Sequence, residues 1–123
     1  MTDPDFIILY VKDTPASAAF YTDLLGKAPV ESSPAFAMFV LANALKLGLW
    51  ARHTVEPETT AAAGCGELCI TVDSCAAVDA LHADWLGRGL KIAQPPTSKE
   101  FGYTFTALDP DGHRLRVYVP GAA

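Results

Sequence analysis

The side chains able to do chemistry are few, and their spacing does not assemble a reaction centre. There are three histidines: His53 in a polar segment, His82 inside a helical pattern and His113 in a turn, each expected to be solvated rather than ligating. Cys65 and Cys69 are separated by three residues, and no second Cys or His pair follows at zinc-finger spacing. Together with Cys75 they read as small buried hydrophobes. An odd number of thiols, with no secretory pattern before them, fits a reducing cytoplasm. Glu67 is the carboxylate best placed to serve as a base, with Tyr10, Tyr103 or Tyr118 as an acid, yet no nucleophile, base and orienter converge. Glu67 and Arg116 are expected to pair or to anchor the polar edge of a ligand, because an Arg in a desolvated site needs such a partner.

The elements that must position these groups occur twice. Val11 through Phe20-Tyr21 to Asp23-Leu24-Leu25-Gly26 is echoed by Val72 through Leu81-His82 to Asp84-Trp85-Leu86-Gly87. Each copy opens with an apolar strand, Phe6 to Val11 and Glu67 to Val72. A cap then starts a helix: Asp13 or Thr14 with Pro15 in the first copy, Asp73 or Ser74 in the second. Gly26 and Gly87 are expected to end the helices in the left-handed conformation. Three strand candidates follow each helix, at 28–31, 36–41 and 44–51, and then at 91–93, 103–108 and 114–119. This predicts an α+β fold of two βαβββ modules, 1–52 and 66–123, joined by an exposed linker at 53–65. The modules are expected to form a curved mixed sheet around a cavity.

Period-two alternation sorts the strands into faces. The aliphatic sets, such as Leu47 with Leu49 and Leu115 with Val117, belong against helices. The mixed sets lie opposite and supply the candidate ligand-binding residues: Phe6, Ile8, Tyr10, Gly48, Trp50, Glu67, Cys69, Arg116 and Tyr118. Gly48 is expected to leave a gap among rings. Met38, Tyr103 and Phe105, with Phe36 and Phe101, are further candidate walls. At 123 residues and half hydrophobic, the chain has apolar surface for a ligand cavity or an oligomer interface. A net charge of −5 disfavours nucleic acid, and no apolar run approaches membrane-spanning length.

The doubled architecture, Val11-Lys12-Asp13 before Ala19-Phe20-Tyr21 and Leu24-Leu25-Gly26, and the turn Asp109-Pro110-Asp111-Gly112-His113 together resemble the vicinal oxygen chelate superfamily of glyoxalases, extradiol dioxygenases and fosfomycin, bleomycin and phenazine resistance proteins. The resemblance implies four metal-ligand positions, at Phe6, near Gly48 or Trp50, at Glu67 and at Arg116. Of these only Glu67 offers a lone pair suited to a divalent ion, so no catalytic metal or other cofactor is expected. What remains is similar to the non-catalytic drug-binding branch, the phenazine resistance type most of all, in which Trp50 would stack on a planar ligand. The resemblance further implies a homodimer with composite cavities, sequestering a planar aromatic or apolar compound. The alternative it leaves open is a lyase, isomerase or dioxygenase of the glyoxalase superfamily, with or without a metal.

Overall fold

Strand β1 (Phe6–Val11) runs parallel to β4 (Lys46–Ala51), which pairs antiparallel with β3 (Phe36–Val40), and β3 in turn with the short β2 (Glu31–Ser32). Helix α1 (Thr14–Leu25) connects β1 to this β4-β3-β2 set. The second half repeats the plan: β5 (Glu67–Thr71), α2 (Cys75–Gly87), β6 (Lys91–Lys99), β7 (Gly102–Leu108) and β8 (Arg114–Pro120) form a sheet of order β5-β8-β7-β6 with β5 and β8 parallel. The computed structural model, which describes residues 2–121, thus shows the α+β architecture of two βαβββ modules, each with its own four-stranded mixed sheet. The chain divides into two compact units, residues 1–63 and 64–123.

The helix starts follow the capping chemistry. Asp13 accepts the Ala16 amide at 3.0 Å with Pro15 in the first turn, and Ser74 accepts the Ala77 amide at 3.0 Å. At the far ends the two copies differ. Gly26 ends α1 with φ 67°, as expected. Gly87, however, is still helical; Arg88 caps α2, and it is Gly89 that takes the left-handed conformation at φ 86°. A glycine tolerates a helix interior at modest cost, and the cap geometry rather than the residue type decides where the helix stops.

In unit 1 the core is Val11, Tyr21, Ala37, Phe39, Leu47 and Leu49, so one alternating set of β3 and of β4, with the last residue of β1, is buried beneath α1. In unit 2 it is Val78, Trp85, Phe105, Ala107, Leu115 and Val117 beneath α2. The segment following β4 is less plain than an exposed linker: a 3-10 turn at Arg52–Thr54 leads to Val55, which is buried. Among the described residues no helix is long and apolar enough to cross a membrane.

The longest departure from expectation is β6, which extends to Lys99 through Pro95 and Pro96. Proline cannot donate to a ladder, but β6 is an edge strand, and its register against β7 shifts between Gln94 and Thr97, where the prolines sit. A stretch that reads as turn material therefore supplies a strand, and with it Gln94 to the site described next.

Candidate functional site

In unit 2 the face of the sheet away from α2 carries an ion pair at its centre. Arg116 on β8 donates from Nε to Glu67 Oε1 at 2.8 Å and from Nη2 to Glu67 Oε2 at 3.0 Å, a two-pronged fork between neighbouring parallel strands. Its Nη1 donates to Gln94 Oε1 at 3.1 Å and to Thr104 Oγ1 at 3.2 Å. Arg114 adds a longer contact to Glu67, at 3.6 Å. The Phe101 ring lies 5.7 Å from the Arg116 guanidinium and meets Tyr118 edge-on at 6.1 Å. Glu67, Cys69, Phe101, Arg116 and Tyr118 line an open pocket of about 410 Å³.

The electrostatics follow from the fork. The hydrogen bond from Arg116 holds the Glu67 carboxyl below its ordinary range, against the opposing effect of burial. Glu67 is consequently ionised at neutral pH and a weak base. Partial desolvation by its neighbours, and secondly the nearby Glu67 charge, push the Cys69 thiol up, so it stays protonated. A carboxylate whose folded pKa is depressed stabilises the fold above its unfolded value near 4.5, and that contribution is lost as pH falls through the folded value. Arg116→Met should therefore cost about 0.5–1.5 kcal/mol at neutral pH, a charged hydrogen-bonded pair discounted for the solvent that reaches Glu67. It should also flatten the loss of stability on acidification below pH about 4.5, and urea titrations across pH 3 to 7 check both.

Two candidate walls stand on the other side of the sheet. Tyr103 donates its hydroxyl to Asp79 on α2 at 2.7 Å, which raises its pKa, and Phe105 packs edge-on against Trp85 and His82, both at 5.3 Å. On β7 the helix side takes the odd-numbered residues, so Thr104 and Thr106 face the Arg116 side instead. Thr106 pairs in register with Arg116, and its buried hydroxyl has no hydrogen-bond partner among the described residues. Gln94 and Thr104 were not legible as site residues, since one lay in an apparent loop and the other depended on the phase of β7.

Unit 1 presents an aromatic face of its own. Phe6, Ile8 and Tyr10 on β1, Phe36 and Met38 on β3, and Gly48 and Trp50 on β4 all fall in the alternating set opposite the buried one. Tyr10 and Phe36 meet Trp50 edge-on at 6.3 and 6.5 Å. Gly48 is not the open gap expected of it: a Cβ there would lie 2.8 Å from Phe6 Cε1 and 3.2 Å from the Phe36 ring. Glycine lets those two rings close over the strand. Ile8 and Tyr10 remain well exposed.

The thiols and imidazoles also depart from expectation. Cys65, Cys69 and Cys75 are exposed rather than buried. His113 is buried in the β7–β8 turn, where its amide is bound at 2.8 Å by Asp109 Oδ1, and His82 is half-buried against Phe105.

A family model described as the Glyoxalase/Bleomycin resistance protein/Dioxygenase superfamily matches residues 4–117. The chain belongs to that superfamily. A phenazine antibiotic resistance protein, EhpR from Enterobacter agglomerans, is 26% identical over 93% of this chain and 89% of its own. A protein from Agrobacterium tumefaciens solved by NMR is 57% identical, with a TM-score of 0.90 over 99% of this chain and all of that one. A glyoxalase-related enzyme from Fulvimarina pelagi shares the fold at 23% identity and a TM-score of 0.83, over 97% of this chain and 88% of that one.

The metal implied by superfamily enzymes does not fit these residues. A phenyl ring at Phe6 has no lone pair to give, Gly48 has no side chain, the Trp50 indole only donates, and Arg116 is a fixed cation. Glu67 has the right chemistry but engages both of its oxygens with Arg116. Among the described residues no three His, Cys, Asp or Glu side chains cluster closely enough to hold an ion.

Proposed function

We propose that this superfamily member is a binding protein that sequesters a planar aromatic or apolar compound without transforming it, acting as a homodimer of the kind the family resemblance implies. The observation that carries the reading is the Glu67–Arg116 fork set in an aromatic-lined pocket of about 410 Å³. The volume suits a small ring system. Phe101 and Tyr118 offer edges and faces for it, while the site's one carboxylate is ionised and doubly bonded, poorly disposed to take a proton. Phenazine resistance, for which the Enterobacter relative is named, is a process that simple capture could serve.

Trp50, half-exposed between two rings in unit 1, is a second surface for a planar guest. Trp85 is buried against Phe105, so a change in tryptophan emission on ligand addition reports chiefly on Trp50. Titration with phenazines and other planar aromatics should quench that emission. Trp50→Ala should weaken binding at that unit 1 surface several-fold while circular dichroism stays native, because aromatic stacking contributes about 0.5–1.5 kcal/mol beyond buried area. A broad panel that binds nowhere, or chemical turnover of a bound compound, would remove the proposal.

A further inference from the structure

Arg116 looks at first like a receptor for an anionic ligand, and its hydrogen bonding argues the opposite. A guanidinium carries five N–H groups. Four are engaged among the described residues: Nε and one Nη2 hydrogen with Glu67, and both Nη1 hydrogens with Gln94 and Thr104. Only one N–H, on Nη2, is left for a guest. A carboxylate in the pocket could not form the paired bonds that make Arg a strong anion receptor; it would approach the ionised Glu67, and Arg114, which shares that carboxylate from 3.6 Å, is half-exposed, so water screens its attraction. A neutral ring with a single acceptor at its edge, such as a heterocyclic nitrogen, matches the one remaining donor.

Resting on the binding reading above, we propose that Glu67 acts as a selectivity residue: by occupying Arg116 it tunes the unit 2 pocket for uncharged planar heteroaromatics and against their carboxylated relatives. This is specificity by repulsion as well as by attraction. The fork is also a lock on geometry. With Gln94 and Thr104 holding Nη1 at 3.1 and 3.2 Å, the guanidinium cannot swing away from Glu67 toward an incoming anion without giving up bonds on both sides.

The test uses phenazine and phenazine-2-carboxylate at pH 7.5, where the acid is ionised, with affinities measured by calorimetry. Wild-type protein should bind phenazine at least tenfold more tightly than the carboxylate. Glu67→Gln keeps the shape, removes the charge and withdraws one acceptor, so the carboxylate should gain at least tenfold while phenazine stays within about threefold. Glu67→Gln combined with Arg116→Met should abolish the carboxylate's gain and weaken phenazine several-fold, since the one donor left for its ring nitrogen goes with the guanidinium. Equal or tighter wild-type binding of the carboxylate overturns the inference without calling on any variant, as does an unchanged ratio in folded Glu67→Gln. Binding of neither compound, by wild type or variant, overturns the sequestration reading along with it.

Discussion

Phe105→Ala should lower the stability of the protein by about 3–5 kcal/mol and leave ligand affinity within twofold in the fraction that remains folded. The ring is fully buried and meets Trp85 and His82 of α2 edge-on, each at 5.3 Å. Its removal deletes both the transfer free energy of a phenyl group and the packing of α2 on this sheet. The melting temperature should fall by more than about 10 °C, and the urea midpoint should drop with little change in slope. The two readouts separate two roles for one ring. A cavity-wall phenylalanine would lose affinity first and stability second, whereas a helix-side phenylalanine does the reverse.

That distinction shows where the sequence stops being informative. The repeat, both N-caps and the faces of β1, β4, β5 and β8 are all legible, because those strands begin or end at sharp signals and their alternation is anchored. Leu47 with Leu49, and Leu115 with Val117, can only be core. Strand β7 has no such anchor. Tyr103, Phe105, Thr104 and Thr106 alternate aromatic with hydroxyl, and either set could face a helix. In the structure the aromatics fill the helix interface, and the threonines line the ion-pair side, where Thr104 accepts from Arg116. The Glu67–Arg116 partnership was accessible from strand faces, since both residues fall in the mixed set. Its neighbour Gln94 was not, because two prolines in succession signal a break and the edge position of β6 becomes visible only once the sheet is built.

Gly102→Ala should be comparably damaging, by at least about 3 kcal/mol, and it should take ligand binding down as well. Gly102 opens β7 with φ 144°, a conformation open to glycine and strained for any side chain. A Cβ built there would land on the carbonyl oxygen of Val119, which is backbone in the adjacent strand β8 and cannot rotate aside as a flexible side chain could. Relief requires β7 and β8 to separate at the end where Phe101 precedes the glycine and Tyr118 precedes Val119. Those two rings are pocket walls 6.1 Å apart, and the Phe101 carbonyl is also tied to the Gly121 amide at 3.1 Å. Chemical denaturation followed by titration of the folded fraction with phenazine should therefore show both losses together. Gly112→Ala is the control: its φ of 85° is also positive and disfavours a side chain, but no atom lies within 4 Å of the added carbon. It should cost only about 1–3 kcal/mol and leave the pocket intact. Affinity lost in Gly102→Ala and kept in Gly112→Ala would tie the pocket to the close approach of two backbones, a constraint that the glycine's place in a turn-like sequence conceals.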